Sequence, residues 1–221
     1  MSGNNQGRTK TVHFIRHGES TWNVCRRQLH LKELPQQDRP VLVDAPLSFL
    51  GMQQANALKE TIATLKPEIA ITSPYTRTLQ TCLTSFGSQN VIITALCREF
   101  MAATCDNIGL PASCLRVIYP CFDFSSLGET WWYIQDNIKS QPKAVNLLTQ
   151  GDLIVEDQEQ FAARAEEFYK FLCERPEHSI AVYSHNDFLM FFLSKYFGLT
   201  TAHIANGEVY SREMPCTGLK D

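Results

Sequence analysis

The chain has 221 residues, 44% of them hydrophobic and 19% charged, with a formal net charge of −3 and a pI near 6.1. That length holds one domain with a sizeable core and at most a modest cap. The charge balance gives no basic face or stripe, so nucleic acid is not an expected partner. No window approaches the roughly 18 apolar residues of a membrane span, and no apolar leader follows the polar first ten residues. A cytoplasmic protein without a membrane partner is the expectation, with residues 1–10 as a disordered tail and 11–221 as a single domain.

Lys10 to Arg16 is short, β-rich and closed by a turn at Gly18, as expected of a buried first strand. Ser48 to Leu65 places Leu50, Ala55, Leu58, Ile62 and Leu65 near helical spacing, with Ser48 as N-cap and Pro67 just past the end. Ile69 to Thr72 is a second strand, Tyr75 to Phe86 a helix stopped by Gly87, and Val91 to Thr94 a third strand. From about residue 100 to 152 the pattern loosens into a helical cap insertion containing Trp131 and Trp132. Gln158 to Cys173 is an amphipathic helix, Ser179 to Ser184 a strand, Asn186 to Phe197 a helix and Glu208 to Arg212 a final short strand. This alternation predicts an α/β fold: a three-layer sandwich whose mostly parallel sheet is flanked by helices, with a small helical cap.

The eight cysteines (25, 82, 97, 105, 114, 121, 173 and 216) are scattered without a C-x-x-C pair. They are expected to be mostly reduced thiols packed as small apolar groups, and no zinc site is expected.

In parallel α/β sheets, function collects beyond the carboxyl ends of the strands. Three such ends carry Arg16 and His17, Arg77, and His185. Guanidinium groups suit the charged oxygens of a phosphoryl group through planar, bidentate donation. A neutral imidazole can attack phosphorus, and a second can donate to an equatorial oxygen.

The string Arg16-His17-Gly18-Glu19-Ser20-Thr21-Trp22-Asn23 resembles the R-H-G-x-[ST]-x-x-N signature of the histidine phosphatase superfamily, which includes the cofactor-dependent phosphoglycerate mutases. The resemblance continues through Asp44 to Ser48 with Gly51, Gln54 and Ala55. It runs on through Thr72 to Arg77 with Gln80 and Thr81, Cys97-Arg98-Glu99, Phe161 to Arg164, Val182 to His185, and Asn206 to Val209. It implies that His17 is the nucleophile. Arg16, Arg77 and His185 would hold the phosphate, Asn23 would help line the pocket, and Glu99 would protonate the leaving-group oxygen and later activate water. No metal or organic cofactor is implied, and the partner is a small-molecule phosphate monoester. Glu19 is expected to have a surface role. Gly18 is expected to let the chain pass close to the phosphate and its surroundings to accept the other N–H of His17. Asp187 reads as a helix N-terminal acid, with an accessory proton donor as the alternative. The two tryptophans read either as lid or as cap packing.

The stretch after Asn23 lacks the F-x-G-W-x-D pattern that resembles true phosphoglycerate mutases, which favours hydrolysis over mutase chemistry. A mutase-type phosphoryl transferase and a non-catalytic module of the same fold that binds a phospho-ligand or a protein remain alternatives. No six-residue Cys-to-Arg spacing, P-loop or G-x-S-x-G is present. The physiological substrate and the oligomeric state are not legible in the sequence.

Overall fold

A computed structural model describes residues 9–30, 41–135, 140–150 and 154–216. Its centre is a five-stranded sheet in the order β3-β2-β4-β1-β5. The strands are β1 (Thr9–Arg16), β2 (Ile69–Thr72), β3 (Val91–Ile93), β4 (Ser179–Ser184) and β5 (Val209–Pro215). β1, β2, β3 and β4 are mutually parallel, and β5 runs antiparallel along β1. β1 starts at Thr9, and Lys10 is buried, its ammonium group held by the carbonyls of Arg175 and Glu177. The expected tail is therefore shorter at its inner end, and the rest of it, residues 1–8, lies outside the described residues.

The sheet is apolar on both faces because its central strands are covered on both. Val12, Phe14, Ile180 and Val182 pack against the helices α6 (Gln158–Glu174) and α7 (Asn186–Phe197) through Phe168, Phe188 and Phe192. The alternate residues Ile15, Ala181 and Tyr183 meet Leu58 and Ile62 of α2 (Phe49–Leu65) and Cys82 of α3 (Thr76–Ser85). Ser48 caps α2 by accepting from Gly51 N at 3.1 Å. Gly87, at φ +105°, takes the backbone beyond α3 into a region that an L side chain rarely adopts. α1 (Thr21–Gln28) was not legible in the sequence. It is started by a capping box in which Ser20 and Asn23 satisfy each other's backbone N–H.

The cap carries the short helices α4 (Ala112–Ile118) and α5 (Gln141–Thr149) and has its own apolar cluster around Tyr75, Leu115, Phe124, Trp131 and Trp132. Both tryptophans are buried, and Trp131 Nε1 donates to Leu110 O at 2.8 Å, so the pair serves packing. Residues 136–139 and 151–152 of the expected cap lie outside the described residues. No helix among the described residues is long and apolar enough to cross a membrane.

The cysteines are mostly free thiols, as expected, with one pair as the exception. Cys173 and Cys216, 43 residues apart, are joined in a disulfide with Cα atoms 5.3 Å apart. β5 returns along β1 to the end of α6, and that long-range approach leaves no trace in local spacing. The other six cysteines are free.

Gly18 is also required for a reason other than the expected one. A Cβ there would lie 2.5 Å from Gly51 O, and a Cβ on Gly51 would lie 2.0 Å from Glu19 O. The first turn of α2 thus packs backbone against backbone on the loop that carries the candidate nucleophile. Gly51→Ala is expected to cost about 3 kcal/mol, because backbone atoms cannot escape an overpacked contact by changing rotamer. A urea midpoint equal to that of the wild type would show that helix and loop separate freely.

Candidate active site

Because β1, β2 and β4 are parallel, their carboxyl ends share one edge of the sheet. Arg16 pairs with Ser184, and Thr72 with Tyr183, so His17, His185 and Ser73 emerge together just beyond it. They border or underlie a cavity of about 490 Å³ lined by Arg16, His17, Asn23, Arg77, Glu99 and Asp187, among others.

His17 is buried, and its Nδ1 lies 2.6 Å from Gly18 O. A carbonyl only accepts, so Nδ1 carries the proton and Nε2 is left with its lone pair. Burial, followed by the positive charges of Arg77 and Arg16, holds its pKa well below the ordinary histidine value. The ring is therefore neutral at physiological pH. His185 is likewise pushed down, by burial and then by Arg77 and His17. Its Nδ1 accepts from Arg77 Nε at 3.3 Å, which assigns its proton to Nε2, 2.8 Å from Ser73 Oγ. The two rings meet edge to face with centroids 5.2 Å apart. His185 is fully buried beneath Arg77 rather than lining the cavity.

Arg77 is held from every side. Its Nη1 donates to Asp106 O at 2.8 Å and its Nη2 to Asn107 Oδ1 at 3.0 Å, while the guanidinium lies 4.4 Å over the Tyr75 ring. Arg16 Nη1 donates to Ile204 O and to His203 Nε2, and its Nε is buried with no partner among the described residues. A buried, unpaired donor is costly unless something supplies an acceptor. An oxyanion in the cavity would do so.

Glu99 is buried at the amino end of α7. Its Oε1 accepts from Phe100 N and Phe188 N, each at 3.0 Å, and its Oε2 accepts only a long bond of 3.4 Å from Asp187 N. Burial and then the Asp187 carboxylate push its pKa up to about 7. Oε1 already receives two N–H groups, so the proton belongs on Oε2. Asp187 sits in the first turn of α7, as expected of a helix N-terminal acid, and also faces the cavity. Asn23 lines the cavity while its Oδ1 caps α1.

Residues 12–108 match the histidine phosphatase superfamily (branch 1). Two Arabidopsis thaliana proteins are similar over most of the chain. One is a phosphoglycerate mutase-like protein, 27% identical over 86% of this chain and 75% of its own length. The other is phosphoglycerate mutase-like protein 1, 27% identical over 82% and 70%. The chain is thus similar to the histidine phosphatase superfamily over residues 12–108. Solved structures of two phosphatases have the same fold. They are the alpha-ribazole phosphatase from Shigella flexneri (17% identity, 91% of this chain and 89% of that one, TM-score 0.55) and mycobacterial glucosyl-3-phosphoglycerate phosphatase (16% identity, 92% and 90%, TM-score 0.56).

The structure departs from the sequence expectations at Glu19. The residue is 5% exposed, and its carboxylate accepts from Arg27 at 2.6 Å and from Ser48 Oγ at 2.7 Å. It is thereby a buried brace between α1 and α2 and not a surface acid. The cavity residues not picked out from the sequence include Arg26, Asp106, Asn107 and His203. Arg26 follows Asn23 by three positions, so a helix assignment for Thr21–Gln28 would have placed it on the same side. Nothing local marks the other three.

Proposed function

We propose that the protein is a metal-independent phosphatase that hydrolyses small-molecule phosphate monoesters through a phosphohistidine at His17. The observation that carries this is the His17 tautomer: the proton sits on Nδ1 against Gly18 O, and the neutral Nε2 stands among Arg16, Arg77 and Glu99.

In the first step the Nε2 lone pair attacks phosphorus, the P–O ester bond breaks, and the leaving oxygen takes the proton from Glu99 Oε2. Arg16 and Arg77 take up the charge of the equatorial oxygens. His185 would reach one of them by exchanging Ser73 Oγ for it. In the second step the Glu99 carboxylate accepts a proton from water, the new hydroxide attacks phosphorus, and the P–N bond breaks to release phosphate and neutral His17. Two guanidiniums supply the positive charge that a metal would otherwise contribute.

The test is hydrolysis of an aryl phosphate in chelator, with acid-quench trapping of an acid-labile phosphoenzyme. Turnover that needs an added divalent ion, or a trapped adduct on a residue other than His17, would overturn the reading. A phosphoenzyme that forms from a phosphorylated acid but passes its phosphoryl group to a second hydroxyl instead of water would favour the mutase.

A further inference from the structure

A second cavity, of about 370 Å³, opens between the end of β3 and the cap, and shares no lining residue with the first. Leu96, Leu127, Trp131 and Phe171 give it apolar walls, and Arg98 is its charged group. Its size and its largely apolar walls with a single charged anchor among a few hydroxyl groups (Thr94, Ser126 and Thr130) are those of a small-ligand pocket.

Arg98 is largely buried, its side chain 14% exposed. Nη2 donates to Glu156 Oε1 at 2.7 Å and Nη1 to Ala95 O at 3.3 Å, but Nε is buried with no hydrogen-bond partner among the described residues. Glu156 is at the same time gripped by Arg164 through two bonds of 3.0 and 2.8 Å. Glu99, next to Arg98 in the chain, directs its carboxyl to the amino end of α7 instead. Two guanidiniums therefore share one carboxylate beside an apolar cavity. A buried charge without full pairing is unfavourable, and an anion placed against it relieves the cost.

We propose that this cavity binds a small monocarboxylate with an apolar, ring-bearing body, its carboxylate on Arg98 and its body between Leu96, Leu127, Trp131 and Phe171. The site shares no lining residue with the His17 cavity, so binding there is read directly and not through turnover.

The test is titration of the full chain with 2-naphthoate, followed by calorimetry and by tryptophan fluorescence, since Trp131 forms a wall. One 2-naphthoate should bind per chain, with uncharged 2-naphthol at least tenfold weaker. Inorganic phosphate should not displace it. Arg98→Met leaves Glu156 balanced by Arg164 alone and should erase the preference for the anion. Gly128→Trp should abolish binding of both compounds and leave aryl phosphate hydrolysis unchanged. A Cβ at Gly128, on the cavity rim, meets only Thr130 O at 4.0 Å, so the backbone tolerates that substitution. Absence of saturable 2-naphthoate binding would overturn the proposal, as would its displacement by phosphate or its persistence in Gly128→Trp.

Discussion

His17→Ala is expected to lower turnover of any phosphate ester by at least about 10⁴-fold, because loss of the nucleophile removes the covalent route and leaves only positioning and charge stabilisation. The protein should stay folded. The imidazole contributes one local hydrogen bond, to Gly18 O, and the loop that bears it is held by the Gly18–Gly51 contact and by Asn206 Nδ2 donating to His17 O at 3.0 Å. Its removal also relieves the crowding of an imidazole between two guanidiniums. Circular dichroism and thermal unfolding should therefore match the wild type to within a few degrees, while acid-quench labelling of the variant should find no phosphoenzyme. Retained labelling would place the nucleophile elsewhere. Retained turnover without labelling would imply direct attack by water.

Glu99→Gln should separate the two steps. For alkyl phosphates, whose leaving oxygen needs a proton, turnover should fall about 10²- to 10⁴-fold. An aryl phosphate needs no such proton, so the first step survives. The second step still lacks its base, and the variant should release one equivalent of phenol per chain in a burst and then turn over slowly. The wild type should lose alkyl phosphatase activity as pH rises through about 7, where Glu99 gives up its proton, and the variant should lack that limb.

The same substitution should act on stability with the opposite sense. The folded-state pKa of Glu99 lies above its ordinary 4.5, so the folded chain holds this proton where the unfolded chain has released it. The favourable contribution is complete below about pH 4.5 and is lost as pH rises through about 7. At pH 8 the wild type carries a buried carboxylate that Glu99→Gln replaces with a neutral amide, and the variant should be more stable by about 1–3 kcal/mol, a difference that closes toward pH 4.5. Chemical denaturation at the two pH values measures this. Equal stability at both would mean that Glu99 is ionised across the range and is not the acid.

Much of this arrangement was legible in the residues themselves. Short β-rich runs bounded by turn signals placed β1, β2 and β4, and helical spacing between such signals placed α2, α3, α6 and α7, within a residue or two, because strands covered on both faces read as apolar runs and helices that bury one face leave a periodic record. Parallel strands then send Arg16, His17, Arg77 and His185 to one edge of the sheet as a consequence of topology alone. α1 escaped because its capping box closes with Asn23 in place of the usual Glu or Gln. The buried role of Glu19 escaped because a carboxylate is ordinarily solvated, and only the approach of Arg27 and Ser48 from two different helices offsets its desolvation.

The sequence by itself determined the α/β alternation, the strand-end cluster of imidazoles and guanidiniums, and the chemistry those groups can perform, since each follows from local pattern and intrinsic side-chain properties. Only the tertiary structure decided which nitrogen of His17 is free, the retention of a proton on Glu99 up to about pH 7, the packing role of Trp131 and Trp132, and the joining of Cys173 to Cys216. Those outcomes depend on partners distant in the chain and on the low polarity of a closed interior, and neither is written in any local run of residues.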